Sequence, residues 1–92
     1  MEFEWDPAKA EANLAKHGID FDDAIGVFDD PAVGTEPDPR HYSGEMRYRA
    51  IGRVGETILL VCYTMRAKRR RIISARRASR RERKAYSLQA GN

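Results

Sequence analysis

Residues Thr57 to Met65 (TILLVCYTM) limit the possible folds of this chain most, because the run is apolar on both alternating faces. A strand that reads this way is the central strand of a sheet and needs a partner on either side. Both partners stand next to it in the sequence. Met46 to Val54 precedes it across Gly55-Glu56, a pair suited to a tight turn, and Arg71 to Arg77 follows a short basic connection. Strands joined by such short turns run antiparallel, as a meander. Upstream, Glu2 to Trp5 alternates, with Phe3 and Trp5 on one side, and predicts a short first strand. A further short strand is expected near Val33, followed by a loop around Pro37-Asp38-Pro39.

The helices announce themselves by their ends. Asp6-Pro7 supplies an N-cap and a first helical position, and Gly18 a left-handed stop after His17. Within this helix Ala8, Ala12 and Ala15 are expected to form the packing stripe, flanked by Leu14. A second helix starts after Asp20 and stops at Asp29-Asp30-Pro31, with Phe21, Ala24, Ile25 and Phe28 as its buried face. Ser79 and Glu82 form an S-x-x-E capping box that opens a last helix running to about Leu88. The expected order is β-α-α-β-β-β-β-α. That is an α+β fold in one domain over residues 1–92, a small antiparallel sheet with helices packed on one face and the other face left to water or a ligand.

Charge narrows the function. Residues 1–45 carry twelve acids and three bases, whereas residues 46–92 carry fourteen bases and two acids. Between Arg66 and Lys84, eleven of nineteen residues are Lys or Arg, opposed only by Glu82. Such asymmetry points to a nucleic-acid partner, to an acidic partner protein, or to a seam between the two halves of the fold. The consecutive helices do not make a DNA-reading pair, because Asp20, Asp22 and Asp23 would repel phosphates. No apolar run is long enough for a membrane span and the acidic start is unlike a signal peptide, so a cytoplasmic location is expected. Cys62 reads as a small buried hydrophobe, and with His17 and His41 it makes no zinc set. No cofactor or metal is expected.

On the face opposite the helices, alternation gathers Arg47, Arg49 and Arg53 from one strand. Arg66 ends the central strand, Arg76 and Arg77 end the last one, and Tyr63 lies close by. Planar donors beside an aromatic ring suit phosphate binding and base stacking. Arg80 and Arg81 occupy the first turn of the last helix, where a bound anion would relieve their conflict with the helix dipole. Lys16 and His17 either cap the first helix or carry protons, His17 being the better placed of the two histidines; His41 is expected in the loop, in solvent.

Three stretches in order carry a family resemblance: EFEWDPAKAEANLAKHGIDFDDAIGVFDDP, ILLVCYT and RRIISARRASRRERKAY. Together they resemble the BrnT family of bacterial type II toxins, over nearly the whole chain outside the loop near residues 35–45. The resemblance implies a RelE-like ribonuclease fold and RNA cleavage that halts translation, and cleavage by attack of a ribose 2′-hydroxyl would require no metal. It also implies neutralisation by a BrnA-type antitoxin, in a heterotetramer around an antitoxin dimer that alone contacts operator DNA. By the same resemblance Arg66, Arg76 and Arg77 would meet the phosphate, Tyr63 or Tyr86 would supply an aromatic ring, and Lys16 or His17 would move protons. Arg47, Arg49, Arg53, Arg80 and Arg81, with Tyr86, would line the RNA path. The alternative is a module that binds nucleic acid or an antitoxin without catalysis.

Overall fold

The computed structural model describes residues 2–40 and 44–91. Its strands are β1 (Glu2–Glu4), β2 (Gly34–Pro37), β3 (Arg47–Val54), β4 (Thr57–Arg66) and β5 (Arg69–Arg77). They form one sheet in the order β1-β5-β4-β3-β2, with the doubly apolar β4 at its centre. β2, β3, β4 and β5 pair antiparallel, while β1 joins β5 in parallel. No hairpin links β1 to β5, so no turn fixes their relative direction.

The two hairpins of the meander use different turn chemistry. Gly55, at φ 61°, takes the first central position of the β3–β4 turn, which favours glycine. The β4–β5 turn puts both central residues, Ala67 (φ 52°) and Lys68 (φ 86°), in the left-handed region with no glycine to relieve them. Farther along this pair the register slips. Cys62 faces Ser74 but Tyr63 faces Ile72, which leaves Ile73 as a β-bulge.

One face of the sheet carries Ala50, Leu59, Val61, Tyr63, Ile72 and Ala75, packed on Ile19, Phe21, Ala24 and Val27. The helices that deliver this layer are α1 (Pro7–His17) and the single turn α2 (Phe21–Ala24), which tightens into a 3-10 helix over Ile25–Asp29. Tightening makes Val27, fully buried, the deep residue in place of the expected Phe28. Gly52 explains why. A Cβ there would lie 2.9 Å from both the carbonyl oxygen and the Cβ of Val27, so the 3-10 turn comes down directly on the glycine.

The packing of α1 also differs from expectation. Ala8, Ala12 and Ala15 are exposed, and Leu14 is 47% exposed. The buried position is Asn13. Its Nδ2 donates to the carbonyls of Ala75 (2.9 Å) and Ile19 (3.1 Å), and its Oδ1 accepts from the Ala75 N–H (3.0 Å). β1 covers the edge of β5 only at residues 69–71, so this amide pairs with a strand edge that would otherwise be buried unsatisfied. A hydrogen-bonding need, not a small-residue stripe, orients α1.

The last helix, α3 (Arg80–Gln89), opens with the expected capping box, Ser79 and Glu82 each accepting from the other's backbone N–H. It belongs to a second cluster, in which Ile58, Ala78 and Tyr86 pack with Ala32, Ile51 and Ala90. Ile51 and Ile58 alternate with Ala50 and Leu59, so α3 covers part of the sheet face opposite α1 and α2. Asp30 anchors it: its carboxylate accepts from the Tyr86 hydroxyl and from the N–H groups of Ala32 (2.8 Å) and Arg53 (2.7 Å). The α+β layout stands, with α3 added on the second face.

Candidate functional site

Alternation and register decide which side chains share the partly covered face. One cross-strand row reads Glu4, Arg71, Thr64, Arg47; the next reads Ser74, Cys62, Arg49, Glu36; a third, beside α3, reads Arg76, Leu60, Ile51, Gly34. Arg47, Arg49, Arg71 and Arg76 therefore project from the same side of the sheet. Strand spacing and rise put the Cα atoms of Arg49 and Arg76 roughly 12 Å apart, within reach of one phosphodiester for two arginine side chains.

Carboxylates hold these arginines in place. Arg76 grips Glu82 through two parallel hydrogen bonds, Nη1 to Oε1 at 2.8 Å and Nη2 to Oε2 at 2.9 Å. Glu82 also accepts from the Ser79 N–H at 2.7 Å, so the helix cap and the β5 arginine share one carboxylate. The hydrogen bonds from Arg76 lower the Glu82 pKa to about 2 and raise that of Arg76. Across the sheet Arg49 donates to Glu36, and on the outer row Arg71 Nη1 donates to Glu4 at 2.7 Å. Arg40 donates to both Asp38 oxygens, at 3.2 and 2.9 Å, and reaches the Cys62 thiol at 3.9 Å. The hydrogen bonds from Arg40 to Asp38 outweigh burial, which acts the other way, and take the Asp38 pKa down to about 2. A phosphate oxygen pair matches the geometry of these carboxylates and can displace the more exposed of them from its arginine, such as Glu36 with 63% of its side chain in solvent.

The other residues singled out in the sequence are dispersed. Arg66 sits at the hairpin end, 55% exposed and 3.7 Å from Glu45. Arg77 faces the α1 side of β5, where its guanidinium donates to the His17 carbonyl at 3.5 Å. Lys16, His17 and Arg77 thus lie together at the sheet edge, separated by the strand from Arg76. Arg80 and Arg81 are exposed on the first turn of α3, and Arg53 lies over the Tyr86 ring at 5.9 Å. Both tyrosines are buried. Tyr63 is 6% exposed on the α1/α2 face, stacked on Tyr48 at 5.6 Å and met edge-on by Phe28 at 5.3 Å. Tyr86 is 3% exposed under α3, and neither ring is open to a base. His41 lies outside the described residues.

Four participants escaped the sequence reading. Arg40 and Glu36 come from the segment treated as a loop. Cys62 is buried, as expected, yet faces the arginines and not the main core. Arg70 lies over Phe28 at 4.1 Å, a cation–π contact that lets an arginine sit against the core. Its signal, an arginine in phase with Phe3 and Tyr63, appears only after the strands are paired.

Among the described residues, no three His, Cys, Asp or Glu side chains gather where they could hold a metal ion, and no helix is long and apolar enough to cross a membrane. No curated protein sequence matches the chain. A family model does, that of the ribonuclease toxin BrnT of type II toxin–antitoxin systems, over residues 5–82. This span holds α1, the whole meander and the α3 capping box, hence the arginine face just described; the chain belongs to the BrnT family of ribonuclease toxins.

Proposed function

We propose that the protein cleaves RNA without a metal, by attack of a ribose 2′-hydroxyl on its adjacent phosphate, and thereby halts translation. Arg47, Arg49 and Arg76 hold the phosphate and stabilise the charge that grows on its oxygens. Lys16 and His17, beside Arg77, lie across β5 from these arginines and meet RNA that passes the sheet edge. A base takes the proton of the 2′-hydroxyl as the 2′-oxygen–phosphorus bond forms. A proton is returned to the 5′-oxygen as its bond to phosphorus breaks, leaving a cyclic phosphate and a 5′-hydroxyl. Arg66, Arg80 and Arg81 extend the positive path for the RNA backbone.

The observation that carries this reading is the common face of Arg47, Arg49 and Arg76 in a chain of a ribonuclease toxin family. The partner is a BrnA-type antitoxin, whose dimer forms the centre of a heterotetramer and makes the only contact with operator DNA. The setting is the cytoplasm.

The test is cleavage of RNA by purified protein in EDTA, together with growth arrest on expression. Arg49→Gln, Arg76→Ala and Arg77→Ala should each slow cleavage, by roughly 100- to 1,000-fold for an arginine that stabilises the transition state. Undiminished growth arrest in all three folded variants would overturn the site. Binding of RNA without products in EDTA would favour the alternative, a non-catalytic surface for nucleic acid or for the acids of the antitoxin.

A further inference from the structure

Between α3 and the arginine face lies a cleft of about 220 Å³, with Arg49 in its lining. Ile51 and Leu60 of two neighbouring strands and Ala85 of α3 supply its apolar surface, and Thr35 and Glu82 line it as well. Gln89 closes one end by packing onto Gly34, where a Cβ would stand 2.9 Å from its Oε1. At the mouth Glu36 and Arg49 are hydrogen-bonded side by side. An apolar strip bordered by polar side chains fits one planar, polar-edged ring.

We propose that this cleft holds a guanine base of the RNA substrate, read by Glu36 and Arg49; the idea rests on the ribonuclease reading above. The pattern of donors and acceptors selects the base. Guanine alone among the four presents two adjacent donors, N1–H and the 2-amino group, next to an acceptor, O6. Glu36 offers two acceptor oxygens and Arg49 a donor beside them, which is the complement in order. Adenine, cytosine and uracil would each leave the carboxylate facing a lone pair or a single donor. Single-stranded RNA exposes this edge for recognition. Arg49 also faces the phosphate row, so the base would lie next to the held backbone.

The decisive experiment is titration with GMP, AMP, CMP and UMP, followed through the backbone NMR signals of Gly34, Ile51, Leu60 and Ala85. GMP should bind at least about tenfold more tightly than the others, since a hydrogen bond to a charged group is at stake. Inosine monophosphate, lacking the 2-amino group, should fall between. Glu36→Gln should erase the preference for GMP, and Ala85→Leu, which fills the cleft from an exposed helix position, should abolish the shifts. Equal binding of GMP and AMP, or shifts away from the cleft, would overturn the assignment. Cleavage mapping separates it from the reading beneath it. Cuts with no guanine preference sink the base assignment and leave the ribonuclease; GMP binding without RNA cleavage does the reverse.

Discussion

Substituting Glu82 by Gln isolates one ion pair that serves both the fold and the arginine face. Glu82 titrates at about 2 when folded against an ordinary value of 4.5, chiefly because Arg76 donates two hydrogen bonds to it. A lowered carboxylate pKa adds stability that is present above pH 4.5 and is lost as the pH falls toward 2. The full difference corresponds to roughly 3 kcal/mol. With 24% of the Glu82 side chain and 41% of that of Arg76 in solvent, screening reduces the expected contribution to about 1–2 kcal/mol. Urea unfolding at a series of pH values between 2 and 7 measures it. Near neutral pH, Glu82→Gln should be less stable by that amount, and the gap should close as the acid limit is approached. Asp38, also held at about 2, titrates in both proteins and cancels in the difference. A gap that stays constant from pH 7 to pH 2 would refute the reasoning. The same variant is the control for Arg76→Ala, because that change removes the partner of Glu82 along with a phosphate donor.

Two further perturbations test the scaffold. Asn13→Ala leaves the amide and carbonyl of Ala75 and the carbonyl of Ile19 without their partner. Chemical denaturation should show a loss of about 3 kcal/mol, with buried unpaired groups the main cost. Replacing Ala67-Lys68 by Asn-Gly should raise stability by about 1 kcal/mol, since both residues hold positive φ angles that Asn and Gly adopt more readily; an unchanged melting temperature would count against strain in that turn.

Features set by local chemistry were legible in the sequence. The caps at Asp6, Asp20 and Ser79, the glycine at the end of α1, and the doubly apolar β4 sit where their residues placed them. Features set by long-range pairing were not. Closeness along β4 made Tyr63 and Arg66 look like neighbours, but an odd separation puts them on opposite faces, and a ring from α2's extension completes the tyrosine's surroundings. The packing of α1 was misjudged for a related reason. A helix face rich in alanine promised close contact, whereas an unpaired strand edge sixty residues away demanded an amide. Even the arginines were only half legible: their number was visible, and so was the helix start that carries Glu82, but which carboxylate each one meets depends on strand pairing that no local pattern reveals.

Ile73 gives the last strand a change of parity. Ahead of it, Ile72 faces the main core; beyond it, Ala75 does, so three positions separate residues that an unbroken strand would set two or four apart. Were Ile73 drawn into the ladder opposite Cys62, the downstream side chains would exchange sides: Ala75 would leave the core, and Arg77 would take the place of Arg76 on the outer face. Adjacent arginines therefore hold different stations by a count of one. A relative lacking the extra residue would keep the same arginine on the same face with a plain ladder, and an alignment that put the gap past the bulge would pair the wrong side chains.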